Sequence, residues 1–110
     1  MAKDDYFVIV YVVLKYLYDC LKGDKDVDFE AIKSDALCIS YNYWCYIMEH
    51  MQEYDLIEGL SIKKTKNGIL ITGWNRICIT PTGISYLFEN SLIQKAKKTL
   101  MDIKDIVPFA

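Results

Sequence analysis

Asn67-Gly68 is flanked on both sides by residues that alternate in polarity, and no other feature restricts the fold of this chain as tightly. Asn-Gly suits a type I′ turn, because both central residues of that turn need positive φ. Pairing outward from a loop at 67–68 sets Lys66 against Ile69, Ile62 against Gly73, Leu60 against Asn75 and Leu56 against Ile79. This register puts Leu56, Leu60, Ile62, Ile69, Ile71, Ile77 and Ile79 on one face, and Ser61, Lys63, Thr65, Leu70, Thr72, Trp74 and Arg76 on the other. A long antiparallel hairpin over about 56–79 follows. Glu58 intrudes on its apolar face, and Gly73-Trp74-Asn75 offers a bulge or turn that would break the second strand.

Helical spacing surrounds the hairpin. Phe7, Val10, Tyr11, Leu14, Leu17, Tyr18 and Leu21 recur at i, i+3, i+4, i+7, which predicts a helix over about 5–22 despite the β-branched run at 8–13, with Gly23 as its stop. Val8 and Val12 fall on its polar side with Lys15, Asp19 and Lys22, and need a cover, from the C-terminal helix or from another subunit. Asp28 caps a short second helix ending near Asp35. Ser40 caps a third over about 41–54, with Trp44, Ile47, Met48 and Met51 inward and Asn42, Tyr46, Glu49, His50 and Glu53 outward. Two helices joined by so tight a turn resemble a helix-turn-helix.

The segment ICITPTGISYL (77–87) hands the hairpin to another helix. Thr80 suits the N-cap, Pro81 the first helical position, where its missing N–H costs nothing, and Gly83 permits close backbone approach. Ile84, Leu87 and Phe88 then point inward. A break at 89–91 recaps a fifth helix over about 92–107, with Leu92, Ile93, Ala96, Leu100, Ile103 and Ile106 as its stripe and Pro108 as its end. The expected architecture is α+β, with three N-terminal helices, a long hairpin and two C-terminal helices in a single domain over 1–110. The last helix packs on that domain or serves a dimer.

With 110 residues, 53% of them hydrophobic and 25% charged, the chain is globular and long enough for one core. A net charge of −2 excludes a general attraction to nucleic acid, yet the charge is divided. Residues 1–62 hold 5 Lys/Arg against 12 Asp/Glu (−7), and residues 63–110 hold 8 against 3 (+5). A basic face, or two mutually attracting halves, fits this division. Cys20, Cys38, Cys45 and Cys78 show no C-x-x-C spacing, as expected of free thiols in a reducing cytoplasm, and no zinc site is expected. The nine apolar residues at 6–14 are too few to span a bilayer and follow Lys3-Asp4-Asp5, so no membrane segment or export signal is expected.

The joint ITPTGISYL (79–87) resembles the L-T-x-x-G-x-x-Y-L segment that follows the wing in many winged-helix proteins, including MarR- and PadR-type regulators. The order helix, helix, helix, hairpin, helix is that of a winged helix. More of the chain resembles the YjcQ-like family of small prophage-associated proteins. The matching stretches are YVVLKYLY (11–18), IS (39–40), YDLIEG (54–59), YLFENS (86–91) and AKKTLMDIKD (96–105). The resemblance implies a winged-helix fold in a phage or prophage setting, and carries over no functional residue.

Two uses of such a fold compete. In the first, double-stranded DNA is the partner. The third helix enters the major groove through Asn42, Tyr46 and His50, and Lys63, Lys64, Lys66, Asn67 and Arg76 contact the backbone. Lys95, Lys97 and Lys98 add a second basic cluster. Against this reading, 40–58 holds no Lys or Arg, and Glu49 and Glu53 face phosphates they would repel. In the second, the fold serves a protein partner or a homodimer, with Tyr41, Tyr43, Tyr46 and Trp74 as candidate contacts among nine Tyr and two Trp. An enzyme is not expected. His50 is the sole histidine, no base stands near Thr80 or a cysteine, and Asp24, Asp26 and Asp28 lack the rest of a calcium loop. No cofactor is implied.

Overall fold

A computed structural model describes residues 5–102. In chain order these form α1 (Asp5–Lys22), a 3-10 turn (Phe29–Ala31), α2 (Tyr41–Glu53), β1 (Ile57–Glu58), β2 (Ser61–Thr65), β3 (Gly68–Thr72), a second 3-10 turn (Trp74–Arg76), β4 (Cys78–Ile79), α3 (Pro81–Glu89) and α4 (Ser91–Asp102). The fold is α+β, with four α-helices among the described residues rather than five.

The helix expected over 28–35 is reduced to a 3-10 turn. Asp28 caps it as anticipated, its carboxylate accepting from the Glu30 N–H at 3.0 Å. The ladder fails at Ile32, whose carbonyl accepts the Trp44 indole N–H at 2.9 Å. A segment this short is marginal as a helix, and a buried indole without an acceptor is costly.

α1 keeps its expected bounds and forms the centre of the molecule. Residues 8–14 are buried around its whole circumference, as a helix apolar on all sides requires. The cover demanded by Val8 and Val12 is intramolecular: α4, α3, β4 and α2 all pack on α1. Three residues expected to point inward do not. Leu21 is 51%, Phe88 51% and Leu92 48% exposed. Leu21 lies in the last turn of α1, Phe88 meets Tyr18 edge-on at 5.2 Å, and Leu92 lies in the first turn of α4. Asn90 Oδ1 caps α4 by accepting from the N–H groups of Leu92 and Ile93. Ile93 and Ala96 are buried as expected. The Leu100 side chain, Ile103, Ile106 and Pro108 lie outside the described residues.

The hairpin divides into two small antiparallel sheets, β1 with β4 and β2 with β3. The division falls at Gly59 and at the Gly73 turn anticipated as a break. Gly59 has φ 101°, and a Cβ there would lie 2.1 Å from the Arg76 carbonyl oxygen, so only glycine fits. The tip is also displaced. Thr65 pairs with Gly68, so Lys66 and Asn67 form the loop instead of Asn67 and Gly68. The Thr65 hydroxyl decides this, donating to the Gly68 carbonyl at 2.9 Å and accepting from the Asn67 N–H at 3.3 Å. Ile62 consequently faces Ile71 rather than Gly73. A slip of two residues equals the side-chain period of a strand, so the residues of β2 and β3 keep their expected faces. Nearer the core the shift is one residue: Ile57, not Leu56, pairs with Ile79, and Glu58 turns outward to face solvent.

The joint forms as its residues dictate. Thr80 Oγ1 accepts from the Gly83 N–H at 2.9 Å and donates to the Asp55 carbonyl, and the Thr80 N–H meets the Leu56 carbonyl at 3.1 Å. A Cβ on Gly83 would stand 2.1 Å from that Leu56 oxygen. The glycine is therefore what lets α3 seat on the chain leaving α2. No helix among the described residues is long and apolar enough to cross a membrane.

Candidate functional site

α2 presents the outward surface that the helical wheel describes. Ser40 caps it through the Tyr43 N–H at 3.2 Å, and burial of Trp44, Ile47, Met48 and Met51 fixes its rotation. Asn42, Tyr46 and Glu53 are exposed, and Glu49 and His50 are half-buried. His50 Nδ1 lies 2.8 Å from the Tyr46 carbonyl oxygen, and the two rings are 4.1 Å apart. A neutral imidazole donating there keeps Nε2 free as an acceptor. Tyr54 extends this row, its ring 6.2 Å from that of His50.

The hairpin lies alongside this row, held by three tethers. The Gln52 side-chain amide donates to the Leu60 carbonyl at 2.9 Å and accepts from the Leu60 N–H at 3.0 Å, like a neighbouring strand. Lys64 Nζ meets Glu49 at 3.2 Å. The Tyr41 hydroxyl donates to the Ile69 carbonyl at 3.1 Å. As the chain runs forward from Leu60 through β2 to Lys64, its tethers step back along α2 from Gln52 to Glu49. Ile69, opposite Lys64, reaches Tyr41. The tip therefore lies towards the N-terminal end of α2. Lys63, Lys66 and Asn67 are exposed there, and the two lysines make no ion pair among the described residues.

The structure thus sets Lys64 against the outward surface of α2 that carries Asn42, Tyr46 and His50, with Lys66 and Asn67 at the hairpin tip, whereas Lys63, opposite Leu70, lies on the face of the hairpin turned away from α2. The other candidates lie elsewhere. Arg76 is exposed on the 3-10 turn at the base of the hairpin, the end away from the tip. Lys95, Lys97 and Lys98 are exposed on α4, which packs on α1 and α3. Trp74 is half-buried, its indole N–H donating to the Ile71 carbonyl at 3.1 Å and its ring against Phe29 and Trp44 at 4.6 and 4.9 Å. Tyr43 is half-buried against the core, and the Tyr41 ring stacks on Trp44 at 5.8 Å. Gln52, which sequence reasoning passed over, tethers the hairpin through two hydrogen bonds. Its position three residues after Glu49 on one helical face was the available signal.

Among the described residues no group of three His, Cys, Asp or Glu side chains is placed to hold a metal ion. All four cysteines are free, with Cys20 and Cys45 buried.

The profile of the family described as YjcQ protein matches residues 11–106. No curated protein and no solved structure matches the chain.

Proposed function

The chain belongs to the YjcQ family, and from that premise we propose that it is a non-enzymatic winged-helix protein of a phage or prophage element that binds double-stranded DNA in the cytoplasm. The order α1, 3-10 turn, α2, hairpin, α3 supports the winged-helix reading, with α2 as the recognition helix and β2–β3 as the wing. Asn42, Tyr46 and His50 offer uncharged hydrogen-bonding groups to base edges, and Lys63, Lys66 and Asn67 reach phosphate.

The observation that carries this reading is the Lys64–Glu49 contact. The objection to α2 as a DNA-reading helix is its carboxylates, and the hairpin answers one of them with its own ammonium group. Glu53 stands further along, towards the C-terminal end of the row. Lys66 then adds positive charge at the hairpin tip, and Lys63 adds it on the outer face of the hairpin.

Fluorescence anisotropy of a labelled mixed-sequence duplex, titrated at rising salt, tests the proposal. Association at low ionic strength that weakens linearly in log–log form is expected. Undetectable association at low ionic strength overturns it. The exposure of Tyr46 (51%) and Tyr54 (61%) favours a second reading, in which the same row meets a protein partner. A duplex that fails to bind, together with a partner lost on Tyr46→Ala, would establish that reading instead.

A further inference from the structure

A cavity of about 490 Å³ opens where all four helices meet, adjoining the C-terminal end of the α2 row through Tyr54. Tyr6 and Phe7 come from the first turn of α1, Tyr54 from the end of α2, Thr82 and Tyr86 from α3, and Leu92 from the first turn of α4. Leu56 is the most deeply buried of its walls, at 4% exposure. Convergence of four elements makes this a concave site rather than a strip between two helices, and its volume falls in the range of small-molecule pockets.

The lining states what it would accept. Among the described residues it carries no charged side chain, so an ion entering it would lose hydration without gaining a partner. Four of its lining residues are aromatic, Tyr6 and Phe7 from α1, Tyr54 from the end of α2 and Tyr86 from α3, with Phe7 set edge-on to Tyr6 at 5.1 Å. Flat apolar groups pack against rings so arranged by offset or edge contact. Polar capacity is confined to hydroxyls, those of Tyr6, Tyr54, Thr82 and Tyr86. Burial and the neighbouring phenols of Tyr86, Tyr46, Tyr54 and Tyr43 hold the Tyr6 hydroxyl above its usual pKa, and burial does the same for Tyr86. Both stay protonated donors at neutral pH.

We propose that this cleft binds a small, neutral, planar aromatic molecule bearing one hydroxyl or amide group. Its rings stack among Tyr6, Phe7 and Tyr86, and its polar group meets the Thr82 hydroxyl at the rim.

The test uses the full chain and N-phenyl-1-naphthylamine, a neutral fluorophore that brightens on leaving water. One saturable site is expected, displaced by 1-naphthol and not by 1-naphthoate. Leu92 is half exposed, so Leu92→Arg spares the core and is expected to weaken the probe about tenfold by placing a charge at the rim. Thr82→Val keeps the shape and is expected to weaken 1-naphthol while leaving the probe unchanged. Circular dichroism identical to that of the parent shows that either variant is folded. No saturable binding, equal displacement by naphthoate, or a folded Leu92→Arg variant that binds as before each overturns the proposal. Sedimentation in parallel guards against another occupant: a dimer that Leu92→Arg dissolves would assign the cleft to a second copy and overturn it as well. None of these measurements involves DNA, so the outcome is separable from that of the duplex titration.

Discussion

Lys64 Nζ lies 3.2 Å from Glu49 Oε2, joining the hairpin to the helix it flanks. The lysine side chain is 72% exposed and the glutamate 23%, so solvent screens most of their attraction. Such a pair contributes at most about 1 kcal/mol to stability. Its effect on a bound polyanion is larger in kind, because either substitution changes the charge that a phosphate meets. Glu49→Gln is expected to tighten duplex binding and Lys64→Ala to weaken it, with urea midpoints nearly unchanged in both. Anisotropy and urea denaturation on the same preparations check this, and equal effects of the two substitutions would contradict it.

Gln52 has the opposite character. Its amide satisfies both backbone groups of Leu60 in a half-buried position, so Gln52→Ala leaves a donor and an acceptor without partners. A loss of about 1–3 kcal/mol is expected. Amide hydrogen exchange should quicken in β2 and β3 before it quickens in α1. Uniform exchange across the molecule would deny Gln52 its role as the hairpin tether.

Thr80 is 3% exposed and serves two backbone partners at once, the Gly83 N–H and the Asp55 carbonyl. Thr80→Ser keeps the hydroxyl and should cost little. Thr80→Val keeps the volume and removes the cap, with an expected loss of about 1–2 kcal/mol. Thermal denaturation separates the two, and similar stability for both variants would show that the methyl group, not the hydroxyl, matters.

Gly83 sets helix propensity against sterics. Alanine is favoured over glycine in a helix by about 1 kcal/mol. A Cβ at this position would stand 2.1 Å from the Leu56 backbone oxygen, and backbone cannot move aside cheaply. Gly83→Ala is therefore expected to destabilise the protein, and a raised midpoint in urea would contradict the packing of α3 described here.

Much of this was legible because it is local. The bounds of α1, the Thr80-Pro81-Gly83 joint and the inward face of α2 each follow from capping residues or periodicity within a few turns. What escaped depends on partners distant in sequence. The 28–35 segment loses its helix because Trp44, twelve residues after Ile32, takes the Ile32 carbonyl. The hairpin slips by two because a threonine hydroxyl competes with the preference of Asn-Gly, and Gly59 breaks it because the Arg76 backbone crosses there. At the site, the exposed row of α2 could be read from a helical wheel. The docking of the hairpin on that row through Tyr41, Glu49 and Gln52 could not, since periodicity says nothing of where a ribbon lies.

Alkaline pH offers a further check on the packing. Burial raises the phenol pKa of Tyr6, Tyr11 and Tyr86 above the ordinary value. A group raised in the folded state contributes stability that is complete below its unfolded pKa, about 10 for tyrosine, and is lost as pH rises through the folded value. The folded protein therefore holds more protons than the unfolded one above about pH 10, and the urea midpoint is expected to fall there. A midpoint that stays constant or rises from about pH 9 to about pH 11 would contradict the burial of these rings.

The central claim is that the hairpin and α2 form one DNA-binding surface. The measurement that tests it most directly is the slope of log K against log salt for a mixed-sequence duplex, compared between the parent protein and Lys63→Ala/Lys66→Ala. Two phosphate contacts removed should flatten the slope by about 2 while the fold is retained. An unchanged slope in the folded double variant would contradict the account.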